Sequence, residues 1–377
     1  MSAFSTSAEK FLKDMVAIPS ATGHEGLMKD YLANAFGEMG LDVELQHVDS
    51  DRYNIIGKLG DGPIKLMLCT HTDVIPALDE ALWHTPPFEA TLKDGRIYGR
   101  GATDAKGPLA AAMEAMLRAN KIKRSGGSVA LAAVVEEETG RSVGARKLLE
   151  VYKPRMGVIL EPTGLRVAIV HKGALRPVIT VHGRAAHSSA SAGVNAVWIA
   201  GKALLDLERY RSRVMNTVDP MLGRASLEVT MIRGGERINV IPEKCLIYVD
   251  RRLIRGETVE GAYDELTSVV EKIGAETGTR VDIKLLCSYP WSSVDEKERI
   301  VALIKKVLAG HGLPSAPAGF PAGCDMWTFR ENKIPTAILG PGYIEQAHCV
   351  DEYIECEQLK LAADLYEGII AAALSPS

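Results

Sequence analysis

The segment SVALAAVV, residues 128–135, constrains this chain more than any other, because it is apolar at every position after its serine. A strand points alternate side chains to opposite faces. An unbroken apolar run therefore needs cover on both faces, which marks a strand inside a sheet sandwiched between helices. DVELQHV, YNIIGKL and IKLMLCT read as further strands in the first half of the chain. TSAEKFLKDMVAI, HEGLMKDYLANAFGEMG, LAAAMEAMLRAN and SVGARKLLEVY carry the three- and four-residue apolar spacing of helices. This alternation predicts an α/β fold around a central, mostly parallel sheet.

From about Arg176 the texture changes. RPVITVHG alternates, GVNAVWIAGKALLDLERYRSRV is a long amphipathic helix, ASLEVTMIRGG and KCLIYVDRRL are strands, TVEGAYDELTSVVEKIGAETG is a helix and RVDIKLL closes the set. The order β-α-β-β-α-β predicts an inserted ferredoxin-like α+β domain over 176–288. Residues 1–175 and 289–377 then form the two parts of one discontinuous domain, since 377 residues exceed one ordinary core.

With 46% hydrophobic and 24% charged residues the chain is globular, and its net charge of −4 without a basic block excludes nucleic acid and anionic membrane as natural partners. A small molecule is the expected ligand. The N-terminus lacks a signal peptide's basic head and apolar centre, and no stretch approaches the roughly 18 apolar residues that span a bilayer. These features predict a cytoplasmic protein. Cys69, Cys245, Cys287, Cys324, Cys349 and Cys356 show no C-x-x-C spacing and read as reduced thiols.

The chemistry gathers where apolar runs end. CTHTDV sets His71 and Asp73 on one side of a strand end, GRGATDAKGP sets Asp104 just before a helix whose Pro108 fits its first turn, and VVEEETG ends a strand in three glutamates. ILEPTG adds Glu161, and QAHCVDEY adds His348 after a GPG turn. Each has a bland reading alone, as a turn histidine or a helix-capping acid. Together His71, Asp104, Glu138, Glu161 and His348 are two imidazoles and three carboxylates, and one sheet would align most of them at its ligand-binding edge. Imidazole and carboxylate without thiolate suit zinc, manganese or cobalt, and a carboxylate can bridge two ions about 3.5 to 4 Å apart. A competing motif, GRSVG at 140–144, matches the serine-hydrolase elbow around Ser142, but EEET separates it from the strand where the elbow's serine would sit.

The motifs HTDV, DGRIYGRGATDAKG, EEETG, EPT, HKG, GRAAHSS, GVNAV, INVIPEKC and LGPGYIEQAHCVDEYIE resemble, in order and spacing, the co-catalytic zinc aminoacylases and carboxypeptidases. That family includes acetylornithine deacetylase, succinyl-diaminopimelate desuccinylase and glutamate carboxypeptidase. HKG and the final LGPG segment are most similar to the first. The resemblance spans nearly the whole chain and implies a zinc-peptidase-like catalytic domain with the insertion as lid and dimerisation domain. It implies that His71, Asp104 and Glu161 hold one zinc and Asp104, Glu138 and His348 the other, with Asp73 orienting the site. Glu137 would activate water and pass its proton to the leaving amine, and the bond after Asp104 would be cis. His187 would donate to the oxyanion, with Asn239 and Arg252 as substrate contacts and a homodimer as the assembly. Three positions depart from the family pattern: Glu136 stands for an aspartate, Arg255 for a proline and Cys324 for a small hydroxyl residue.

The expected activity is hydrolysis of an N-acyl amino acid, with two divalent metal ions, zinc or else cobalt or manganese, as cofactors. A carboxypeptidase or dipeptidase of the same family is the alternative. A Ser142 hydrolase and a catalytically silent ligand-binding relative are remoter ones.

Overall fold

The computed structural model describes residues 6–77, 79–121, 126–190 and 192–375. Two compact units divide the chain: Met1–Val170 with Ser293–Phe320 and Cys324–Ser377, and His171–Ser292 with Pro321–Gly323.

In the first unit the sheet order is Asp42–Asp49, Arg52–Leu59, Ser128–Val134, Ile64–His71, Gly157–Ile159, Thr336–Ile338 and Ala168–His171. Its middle is parallel, with Ile64–His71 between Ser128–Val134 and Gly157–Ile159, and Thr336–Ile338 alongside Gly157–Ile159. Its flanks are antiparallel, so the sheet is mixed. Asp42–Asp49 and Arg52–Leu59 are joined through Ser50, at φ 44°, and a link this short permits only a hairpin.

Every residue from Val129 to Val134 is fully buried, so both faces of that strand are covered. Lys106–Ala119 packs on Ile64–His71 and Ser128–Val134, and against the helices Ser7–Val16 and Cys356–Leu374. Its buried alanines 110, 111, 112 and 115 let the neighbouring backbones come close. Val143–Val151 packs on Asp42–Asp49, Arg52–Leu59 and Ser128–Val134. The first helix opens on a capping box: the Thr6 hydroxyl accepts from the Glu9 N–H at 3.2 Å, and the Glu9 carboxylate accepts from the Thr6 N–H at 3.3 Å.

The second helical pattern, over 24–40, forms in two pieces, a 3-10 turn Glu25–Met28 followed by the α-helix Lys29–Glu38. The Glu25 carboxylate turns back to accept from the Gly23 N–H at 2.7 Å, and Gly26 lies so close to Asp51 that a Cβ would sit 2.7 Å from its carbonyl oxygen. These contacts tighten the first turn.

In the second unit the strands Ser226–Gly234, Lys244–Leu253, Gly173–His182 and Val281–Tyr289 lie in that order, each pair antiparallel. The helices Ala196–Val214 and Val259–Thr277 pack on this sheet and on each other. Element order and strand order together are those of a ferredoxin-like sandwich. Among the described residues no helix is long and apolar enough to cross a membrane.

Candidate metal centre

Parallel strands place their C-terminal ends on one edge, so His71, the segment after Val134 and Glu161 all emerge there. His71 ends its strand fully buried, and its Nδ1 lies 2.9 Å from the Asp73 carbonyl oxygen. A carbonyl can only accept, which makes Nδ1 the donor and leaves Nε2 to face the cluster. That Nε2 is 3.1 Å from Asp104 Oδ1 and 3.9 Å from Glu161 Oε1. On the other side of Asp104, Oδ2 is 3.2 Å from His348 Nε2, which is also 2.9 Å from Glu138 Oε2. Asp104 thus stands between two imidazoles with one oxygen toward each.

Ligand-type atoms of His71, Asp104 and Glu161 lie within 4.8 Å of one another, and so do those of Asp104, Glu138 and His348. Burial pushes the carboxyls of Glu137, Glu138 and Glu161 upward, and neighbouring carboxylates push them further. Burial would do the same to Asp104, but hydrogen bonds from His348 and His71 outweigh it and hold Asp104 down. Burial would lower His348, but its hydrogen bonds to Asp104 and Glu138 outweigh this and raise it to about 11. Glu161 Oε1 is buried without a hydrogen-bond partner. An orphaned buried oxygen beside crowded acids and two imidazoles is a donor set that fits two divalent cations.

The three glutamates have different surroundings. Asp73, fully buried, accepts the backbone N–H groups of Glu137 and Glu138 at 3.1 Å each and the Thr22 hydroxyl at 2.9 Å. Glu136 adopts φ 61° and turns away from the cluster to Arg52 Nη1 at 2.7 Å and to Arg141. Its N–H donates to Glu25 at 3.1 Å. Consecutive N–H groups of the turn are therefore taken by buried carboxylates, which leaves the side chains of Glu137 and Glu138 for the site.

The bond Asp104–Ala105 is cis. Its loop is held by Glu352, a residue that sequence reasoning passed over. Asp325, also passed over, is buried and pushed up to about 6 by burial despite its hydrogen bond with Ser142. Ser142 itself is buried at φ 50°, and its hydroxyl accepts from Trp327 Nε1 at 3.0 Å. With the hydroxyl committed to Trp327 and Asp325 at the start of a helix, Ser142 is a packing residue and not a nucleophile.

The remaining candidates belong to the second unit. His187 pairs with Val240 in a short ladder, is exposed, and sets Nδ1 2.7 Å from the Ser189 hydroxyl. Asn239 accepts the Ser188 N–H at its carbonyl. Arg252 donates from Nε to Asp250 at 2.6 Å and from Nη1 to the Tyr289 hydroxyl at 3.2 Å, so it is partly committed within its own unit. Arg255 grips Asp219 through two nitrogens, at 2.6 and 3.1 Å. The six cysteines are free thiols, with Cys69, Cys245 and Cys324 buried and Cys349 exposed.

Residues 67–372 match the sequence profile of peptidase family M20/M25/M40. Acetylornithine deacetylase of Proteus mirabilis (strain HI4320) is 30% identical to this chain, over 95% of this chain and 94% of its own length. Human carnosine dipeptidase 1 shares the fold at a TM-score of 0.81 with 19% identity over 97% of both chains. A dinuclear metal-binding peptidase of the M20 family from Bacillus subtilis does so at 0.68 with 18% identity over 97% of both.

Proposed function

The chain belongs to peptidase family M20/M25/M40 and is a metal-dependent hydrolase of C–N bonds, and on that premise we propose that it cleaves the amide of an N-acyl amino acid with two divalent ions as cofactors. The observation that carries this reading is the placement of Asp104, one oxygen toward each imidazole, at the junction of two three-residue donor sets. His71, Asp104 and Glu161 would hold one ion and Asp104, Glu138 and His348 the other, with zinc, cobalt or manganese suited to these donors. When bound, such a pair polarises a carbonyl and makes a nearby water acidic enough to lose its proton near neutrality.

The chain's own residues do the rest. Glu137 takes the proton from water and delivers it to the departing amine nitrogen, a role that suits a buried carboxyl held above its ordinary value. Asp73 fixes the backbone of Glu137 and Glu138, and its carbonyl fixes the His71 tautomer. His187 would donate a hydrogen bond to the carbonyl oxygen as charge builds on it. Asn239 and Arg252 are the remaining substrate contacts, Arg252 toward a carboxylate. The second unit would serve as lid and as the dimer contact.

The deacylase reading is supported by the sequence relative named for acetylornithine, and a dipeptidase reading by the structural likeness to carnosine dipeptidase. Turnover of N-acetylornithine against a dipeptide panel, with added zinc or cobalt, separates them. Glu137→Gln should keep two ions per chain by elemental analysis while kcat falls about 10²- to 10⁴-fold. Glu138→Ala should lose at least one ion. Activity surviving in the first variant, or full metal content in the second, would reverse the assignment of roles.

A further inference from the structure

Glu352 lies four residues after His348 and is 1% exposed. Both of its oxygens are used twice. Oε2 accepts Arg100 Nη1 at 2.7 Å and the Gly101 N–H at 2.9 Å, and Oε1 accepts the Thr103 N–H at 2.9 Å and the Asp104 N–H at 3.0 Å. The backbone reinforces this: the Gly99 N–H donates to the Glu352 carbonyl at 2.9 Å, and the Thr103 hydroxyl donates to the Tyr353 carbonyl. The next residues, Tyr353–Glu355, pair antiparallel with Arg96–Tyr98. The loop carrying Asp104 is thus wound around one carboxylate that belongs to the loop carrying His348.

We propose that Glu352 is the positioning residue that sets Asp104 against His348, so that affinity at both ion positions depends on a side chain that touches neither ion. The inference rests on the two-ion reading above. Its physical basis is the fourfold acceptor role. A carboxylate alone offers lone pairs on both oxygens, whereas a glutamine turns an amide NH₂ toward donors that need an acceptor. An aspartate keeps the charge but is one methylene short of the loop. Arg100 supplies the balancing charge, and its guanidinium also lies 5.0 Å from the Trp83 ring. Displacing Asp104 by a fraction of an ångström would loosen both donor sets at once, because Asp104 is common to them.

The test is calorimetric titration of the metal-free full-length chain with zinc, together with the visible spectrum of its cobalt(II) form. Wild type should take up two ions. If it takes up none, the functional reading fails, whatever the variants do. Given two ions in the wild type, Glu352→Gln should bind them about 10- to 100-fold more weakly and shift the cobalt bands, and Glu352→Asp should recover part of the loss. Ile370→Ala, a buried change in the helix Cys356–Leu374, supplies a control that lowers stability without reaching this loop. A Glu352→Gln protein that is folded, with unchanged affinity and spectrum, overturns the proposal. An equal affinity loss in Ile370→Ala overturns it as well, by showing that lowered stability suffices. Should Glu352→Gln not fold, Arg100→Gln leaves three backbone donors on Glu352 and should show a smaller loss in the same direction. Unchanged affinity in that folded variant counts equally against the idea.

Discussion

His171 is fully buried, with Nδ1 2.9 Å from the Lys172 carbonyl and Nε2 without a partner, and burial holds it down to about 4 from an ordinary 6.5. The folded value lies below the unfolded one, so the unfolded chain takes up the proton first. The stability that the neutral ring contributes is complete above pH 6.5 and is lost as pH falls toward 4. Between pH 7 and 5 the loss should come to about 2 kcal/mol. Urea unfolding at the two pH values should therefore show wild type losing about that much more than His171→Leu. Equal losses would rule the effect out. At this scale the candidate site was unevenly legible. His71, Glu138 and Glu161 announce themselves by following apolar strands, and His348 by following a glycine turn. Glu25, Glu352 and Asp325 do not, because a buried acid is recognised only by its donors. Those of Glu25 and Glu352 include the Glu136 N–H, 111 positions away, and Arg100, 252 positions away. Arg252 shows the converse: its type suits a substrate carboxylate, but the partner that engages it, Asp250, is two residues off on the same strand and equally compatible with the sequence.

Among the elements, the turn after Val134 carries the most tension between charge and burial. Glu136 and Glu25 are both buried, and Arg52 reaches both, at 2.7 and 3.4 Å, while also gripping Asp49. Removing one partner of a buried pair leaves an uncompensated charge, so Arg52→Met should cost about 3 kcal/mol or more. Arg141 also reaches Glu136 but is 59% exposed, and Arg141→Met should cost under about 1 kcal/mol. Chemical denaturation of the two variants checks the contrast, and equal costs would show that Arg52 is not the charge that holds this turn. The elements themselves were largely legible, since a short unbroken apolar run marks the strand at SVALAAVV and a three- and four-residue apolar spacing marks the helix Ser7–Val16. Sheet direction was less so. Period is blind to whether neighbouring strands run together or opposed, and the antiparallel pairing of Asp42–Asp49 with Arg52–Leu59 comes from a short link at Ser50, not from the strands it joins.

On the scale of the whole chain, ligand-type residues from five separate segments meet in the first unit. An ion bound at 100 times its Kd stabilises the state that binds it by about 2.7 kcal/mol. Hydrogen exchange with and without zinc should therefore show slowed amides at 71–73, 99–106, 134–140, 159–163 and 346–353. The sheet of Gly173–His182 and Lys244–Leu253 should exchange at the same rate in both conditions. Uniform slowing of both units would mean that the ions act on the protein in general and not on this cluster.

The sheet order has a consequence for how the protein is made. Thr336–Ile338 lies between Gly157–Ile159 and Ala168–His171, so the central sheet has a gap until residue 338 has been synthesised. While the ribosome makes the intervening residues, two strand edges stay unpaired, and Asp104 and Glu138 wait for a histidine that has not yet been synthesised. The second unit's strands are contiguous in sequence and can close in that interval. A nascent chain that stalls before residue 336 therefore presents open edges of the kind that recruit chaperones or other stalled chains. Premature stop codons between 172 and 335 should then be lost as insoluble protein, not tolerated as weakened enzyme.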